Sequence, residues 1–202
     1  MFKMEAKRNL YVISGLWSSF LGGDEAAFSR LYKICYRKLY SYGVSLGIDD
    51  ELIRDIIQDL FLKIYEKPEI VKEVSTIIPF LLTSMKNAFF NNKKISGRFS
   101  NLEQLDDVFN LKYSVNSVES EEEDAHIKQL VNDIMQSLSP RQKEIIYLRF
   151  SHQLEYHEIA TVLKISEQSA RNLIHRAIKK MRKDNLSLIF LIIFSALLTG
   201  DQ

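Results

Sequence analysis

Cysteine, glycine and proline are all scarce in this 202-residue chain, with one Cys, seven Gly and three Pro. The single cysteine, Cys35, excludes an intramolecular disulfide; it lies in the apolar-periodic stretch Leu31 to Tyr40, which predicts a buried thiol in a reducing compartment. Few glycines leave no Gly-rich phosphate loop. The four histidines (His126, His152, His157 and His175) show no ligand spacing such as i, i+4 with a carboxylate. No catalytic residue, metal site or cofactor is therefore expected, and the chain does not read as an enzyme. Sustained Val/Ile/Thr alternation is missing as well. Leu, Ile, Lys and Glu recur instead at three-to-four spacing, which predicts an all-α protein of one or two domains. Charge of one sign is lacking overall, since 27 Lys and Arg against 26 Asp and Glu leave a net +1. That balance conceals a strong local asymmetry.

The asymmetry lies at the carboxy-terminal end of a three-helix pattern from Leu138 to Lys183. Ser139-Pro140 offers an N-cap and a proline at the first helical position, where its missing N–H costs nothing, and Ile145 and Leu148 follow at helical spacing. After the polar break Ser151-His152-Gln153, a short helix from Tyr156 places Ile159, Ala160 and Leu163 on one face. A tight turn at Lys164-Ile165 precedes Ser166, which caps a longer helix with the core stripe Ala170, Ile174, Ala177, Ile178 and Met181. That stripe leaves Gln168, Arg171, Asn172, His175, Arg176 and Lys179 outward. Between Lys164 and Lys183 stand Lys164, Arg171, Arg176, Lys179, Lys180, Arg182 and Lys183 against one acid, Glu167. A small-residue helix crossing, a short turn and a basic outward helix together predict contact with DNA.

The amino-terminal half carries helical periodicity over Asp24 to Tyr42, Asp50 to Tyr65 and Pro79 to about Lys94. The run Leu10 to Leu21 follows Lys3, Lys7 and Arg8. It is not read as a secretory signal, because Tyr11, Ser14, Trp17, Ser18 and Ser19 interrupt it and no small-x-small site follows. In the helix from Asp49, residues Ile53, Ile56, Ile57, Leu60 and Ile64 face a core, while Asp55, Gln58 and Asp59 cluster on another face with Leu62 one turn on. An acidic face beside an exposed apolar residue suits a basic partner. Between Ser96 and Ser120 periodicity fades into a linker with at most one short helix near Leu102 to Phe109. Ser120 and Glu123 then propose a capping box, and Leu130, Ile134 and Leu138 continue a helix into the DNA-reading unit.

Gly23-Asp24-Glu25-Ala26-Ala27-Phe28-Ser29-Arg30-Leu31-Tyr32, then Asp55-Ile56-Ile57-Gln58-Asp59-Leu60-Phe61, then Phe80-Leu81-Leu82 running to Asn87, Asn91 and Lys94, resembles region 2 of bacterial RNA polymerase sigma factors of the extracytoplasmic-function type. Leu138-Ser139-Pro140-Arg141-Gln142, Glu158-Ile159-Ala160, Leu163, Ile165-Ser166 and His175-Arg176-Ala177 resemble region 4 of the same family. The resemblance implies an all-α chain with a region 2-like helical domain at 10–98, a linker at 99–123, a region 4-like helix-turn-helix domain at 124–185 and an apolar tail at 186–202. It implies that Asp55, Gln58, Asp59 and Leu62 bind core RNA polymerase. It implies too that Lys86, Asn87, Phe90, Asn91 and Lys94 meet the promoter's upstream-of-start element, with Phe80, Phe89 and Lys93 nearby. Lys86, Lys93, Lys94 and Arg98 supply four cations for phosphates; the three phenylalanines are read first as core. Gln168, Arg171, Asn172 and His175 become candidates for base edges, and Ser169, Arg176, Lys179 and Lys180 for phosphates. Promoter DNA, core polymerase and an anti-sigma factor are the implied partners, and the cytoplasm the implied location.

Departures from the family pattern bear on promoter sequence rather than class. Lys164 stands where the family usually has Gly, and Leu173 where the recognition helix often has Arg. Phe80, Asn91 and Lys94 stand where region 2 often has Trp, Asp and Arg. The acidic run Glu119 to Asp124 is read as a solvated linker and cap, with passage through polymerase channels as the alternative. The least expected feature is Leu186 to Leu198, apolar but for two Ser. As a helix it would span about 20 Å at 1.5 Å per residue, short of the roughly 30 Å hydrocarbon core. Packing on a partner or on the chain itself, attachment to a membrane surface, and tail anchoring all stay open. Two rival functions remain on sequence grounds, a free-standing helix-turn-helix regulator and a membrane-associated adapter.

Overall fold

In the computed structural model, residues 2–74, 76–95, 109 and 136–183 are described, and all regular structure among them is helical. The chain divides into two compact units, Met1–Leu102 and Glu103–Gln202.

The first unit holds α1 (Phe2–Leu21), α2 (Glu25–Ser45), α3 (Asp50–Glu66), a 3-10 turn (Pro68–Val71) and α4 (Ile77–Ile95). Its turns are written in short polar side chains. Asp24 accepts the Ala27 N–H at 3.0 Å and Asp49 the Leu52 N–H at 3.1 Å, each satisfying a donor that the first turn of a helix leaves unmet. α2 packs on α1, α3 and α4, and its Leu31, Cys35, Leu39 and Tyr42 are buried against Ile53, Ile57, Phe61 and Ile64 of α3 and Leu81, Leu82, Met85 and Phe89 of α4. Each such aliphatic side chain contributes about 1.5–3 kcal/mol on burial. Gly43 marks the closest approach, because a Cβ there would lie 2.8 Å from Ile53 Cγ1 and from Met85 Cε. The Leu10 to Leu21 run belongs to this core, with Ile13, Trp17 and Phe20 of α1 buried.

One expected core residue is displaced. Leu60 is only half-buried, and Phe61 takes the inner place, so that the stripe runs 53–57–61–64 along α3. Cys35 is fully buried; desolvation pushes its thiol up to about 12 against the opposing pull of Lys38, so it stays protonated and unreactive.

The second unit holds α5 (Pro140–Phe150), α6 (Tyr156–Leu163) and α7 (Glu167–Lys183). Ser139 and Gln142 form a reciprocal capping box: the Gln142 N–H donates to Ser139 Oγ at 3.3 Å, and the Ser139 N–H to Gln142 Oε1 at 3.0 Å. The Ser169 N–H donates to Ser166 Oγ at 3.1 Å and starts α7. α6 ends where Lys164 adopts φ 52° and ψ 46°, with the Ile165 N–H on Ala160 O at 3.0 Å and the Lys164 N–H on Thr161 O at 3.3 Å. Those two bonds make a Schellman ending that normally takes glycine. Lys164→Gly is therefore expected to stabilise the unit by about 0.5–1 kcal/mol, read as a raised urea midpoint at unchanged m-value.

Phe109, placed by sequence within the linker at the end of its one possible short helix, is 3% exposed and packs its ring 5.6 Å from that of Tyr147, which in turn meets His152 at 5.0 Å. The rest of the expected linker, the Ser120–Glu123 capping box, the helix through Leu130 and Ile134, and the Leu186 to Leu198 tail lie outside the described residues. Among the described residues no helix is long and apolar enough to cross a membrane.

Candidate nucleic-acid interface

The amphipathicity of α7 decides which side chains it can offer to a ligand. Ala170, Ile174, Ala177 and Met181 are buried against α5 and α6, with Ile178 half-buried rather than fully enclosed as its stripe predicts. Gln168, Ser169, Arg171, Asn172, His175, Arg176, Lys179 and Lys180 are all exposed. The structure brings these sequence-predicted residues onto one continuous outer face. Local bonds already organise it. Gln168 Nε2 donates to Asn172 Oδ1 at 3.1 Å, Arg176 Nε to the Asn172 carbonyl at 3.4 Å, and the Ser166 and Ser169 hydroxyls meet at 2.8 Å.

Arg171 pairs with Glu167 one turn earlier, and its guanidinium lies 4.3 Å from the centroid of the Tyr156 ring. Arg149 lies over the same ring at 5.0 Å, donates to the Leu154 carbonyl at 2.7 Å and pairs with Glu155 at 3.2 Å. Sequence reading had singled out neither Tyr156 nor Arg149 for this face. The Glu167–Arg171 pair was visible as i, i+4 spacing; the ring, which belongs to another helix, was not.

A second exposed face runs along α3. Asp55, Gln58, Asp59 and Leu62 are all exposed, Leu62 by 51%, and their i, i+3, i+4, i+7 spacing stacks them along one side of the helix. Tyr65, three residues on, is 46% exposed and donates to Glu25 at 3.1 Å, adding an aromatic that the sequence reading left out.

The third candidate group, on α4, is only partly presented. Asn91 is exposed, Asn87 and Phe90 are half-buried, and Lys94 falls on the last turn. Lys86 departs from expectation: it is 8% exposed, with Nζ 5.9 Å from the Phe90 centroid. The reason is geometric. Lys86 lies four residues after Leu82 and three before Phe89, on the side of α4 that α2 and α3 cover, so its stem is drawn in with the core. Phe89 is buried as expected of a core aromatic, and Phe80 is half-buried.

Residues 134–183, which span α5, α6 and α7, match the family described as sigma-70, region 4. SigM of Bacillus subtilis (strain 168), an extracytoplasmic-function RNA polymerase sigma factor, is 22% identical over 153 residues, 76% of this chain and 91% of SigM. A match of that length cannot be contained within the Glu103–Gln202 unit and must take in part of the Met1–Leu102 unit. The chain is thus similar over most of its length to a sigma factor of the extracytoplasmic-function type, and its residues 134–183 match sigma-70 region 4.

The exposed α7 face supplies what duplex recognition requires. Arg171 can reach guanine O6 and N7 with two parallel bonds, Gln168 and Asn172 can read adenine, and Arg176, Lys179 and Lys180 can neutralise phosphates.

Proposed function

We propose that this chain is a non-catalytic sigma factor of the extracytoplasmic-function type that binds core RNA polymerase and promoter DNA, and that it divides its work between a region 2-like domain at 10–98 and a region 4-like domain at 124–185, joined by residues 99–123. Asp55, Gln58 and Asp59 on α3 dock core polymerase, with Leu62 as the apolar anchor. On α4, Asn87, Phe90, Asn91 and Lys94 meet the upstream-of-start element as it melts, with Lys86 supporting Phe90 from beneath. On α7, Gln168, Arg171, Asn172 and His175 read base edges of the upstream element, while Ser169, Arg176 and Lys179 hold phosphates. The observation that carries this reading is the coincidence on α7 of a buried stripe of Ala170, Ile174, Ala177 and Met181 with an unbroken exposed face of side chains whose chemistry suits base edges and phosphates. Work on chromosomal promoters places the protein in the cytoplasm. An anti-sigma factor is the partner expected to hold it inactive, and the tail at 186–202 is read first as packing on a partner or on the chain itself, with attachment to a membrane surface as the second reading.

Promoter binding by the reconstituted holoenzyme tests the α7 assignment. Arg171→Ala should relax choice at one base pair at a cost of about 1–3 kcal/mol, whereas Lys179→Ala should weaken all sequences alike and lower the salt slope by about one. Uniform weakening by both would move Arg171 from base reading to phosphate binding. Liposome flotation with and without residues 186–202 tests the tail; equal flotation by both removes its membrane role.

A further inference from the structure

The cluster around Tyr156 is built more fully than α5, α6 and α7 need merely to pack. Two guanidiniums lie over one half-buried ring, Arg171 at 4.3 Å and Arg149 at 5.0 Å, and each has its own carboxylate, Glu167 and Glu155. The cluster is formally neutral. Arg149 is tied to the backbone through the Leu154 carbonyl, so it is part of the frame. Arg171 is not so tied: it is the member that α7 presents to solvent, its side chain 51% exposed. An ion pair at that exposure holds a side chain poorly, because water and salt screen it and both chains are free to rotate. A ring face adds a planar, weakly hydrated seat suited to guanidinium and unsuited to ammonium.

We infer that Tyr156 is a positioning residue for promoter specificity: its ring seats the Arg171 guanidinium in the orientation that a guanine edge requires, and Glu167 holds the guanidinium's donors until the N7 and O6 acceptors replace it. The inference rests on the reading of Arg171 as a base-contacting residue and adds what aims it. Bidentate recognition tolerates little misalignment, so an arginine restricted to one seat loses less freedom when it meets guanine. Arg171 then discriminates because the ring limits where its fork can point. Without the ring the same charge can still find a phosphate, and selectivity falls while general affinity persists.

The test uses full-length protein bound to core polymerase and a duplex library in which every base pair of the selected upstream element is varied in turn. Wild type is expected to prefer guanine at one position by about tenfold. Tyr156→Leu should reduce that preference to about threefold or less at that position alone, and Tyr156→Phe, which keeps a ring face, should restore it. In an Arg171→Ala background, Tyr156→Leu should change nothing further at that position. Glu167→Gln should keep the preference, since the ring still seats the arginine; this variant serves even if Tyr156→Leu does not fold. The inference is overturned if Tyr156→Leu leaves the preference intact or lowers affinity equally at every position. Loss of the preference in Glu167→Gln also overturns it. Should Arg171→Ala itself leave every base preference unchanged, both the inference and the base-reading assignment fall, and that variant alone identifies the case.

Discussion

Replacing Asp55 and Asp59 together by lysine should abolish co-purification with core polymerase and leave the fold and duplex binding by α7 intact. Both carboxylates are exposed on α3, so neither reversal disturbs packing, and surface changes of this kind usually stay within about 0.5 kcal/mol of wild-type stability. Their effect falls on association. Like-charge juxtaposition at an interface costs several kcal/mol, and two adjacent reversals on one helix face should lower affinity by at least about a hundredfold. Salt supplies an internal check: wild-type association should weaken as ionic strength rises, because the Debye length shortens to about 8 Å at physiological salt. Leu62→Ala should weaken association without changing that salt dependence, since it removes apolar contact only. Retained polymerase binding by the double reversal, with an unchanged thermal midpoint, would remove the docking role from α3.

Much of the helical frame was written in local chemistry, and the residues that defied the sequence did so for non-local reasons. Asp24, Asp49, Ser139 with Gln142, and Ser166 each cap a helix through atoms three residues apart, a distance that sequence reasoning handles well. The Ala170–Ile174–Ala177–Met181 stripe was equally legible, because α7 is covered on one side only and its outer face could be read by subtraction. The left-handed Lys164 was flagged by the absence of an expected glycine. α4 is different. It is covered by both α2 and α3, so its buried arc is wide enough to take in Lys86, and no periodicity marks where such an arc stops. Phe109 meets Tyr147 across 38 positions of sequence, and Tyr156 meets Arg171 across a turn and a change of helix. Such pairs are decided by how helices cross. The crossing itself is set by details of side-chain volume that a pattern of polar and apolar positions does not record.

The proposed DNA-reading face of α7 should also fail from a residue that lies off it. Arg141, at the start of α5, donates from Nη2 to the Leu163 carbonyl at 2.7 Å, closing the end of α6 just before the left-handed Lys164. Its Nη1 lies 3.6 Å from Glu144, whose side chain is 2% exposed against 18% for Arg141. A carboxylate so placed is tolerated because charge and hydrogen bonds offset its lost hydration, and removing a partner usually costs more than the intact pair contributes. Arg141→Met keeps the aliphatic bulk, removes the guanidinium from Glu144 and takes a donor from the Leu163 carbonyl. The second unit should lose about 2–4 kcal/mol, seen as an earlier unfolding transition. Because the turn that aims α7 is the part loosened, promoter binding should weaken further than the unfolded fraction accounts for. Co-purification with core polymerase through α3, in the other unit, should persist. Adding Glu144→Gln to Arg141→Met should recover part of the loss, since it removes the charge whose burial had become unfavourable. A single mutant within about 0.5 kcal/mol of wild type, or a double mutant no better than the sum of its singles, would show that the guanidinium is not what holds this turn.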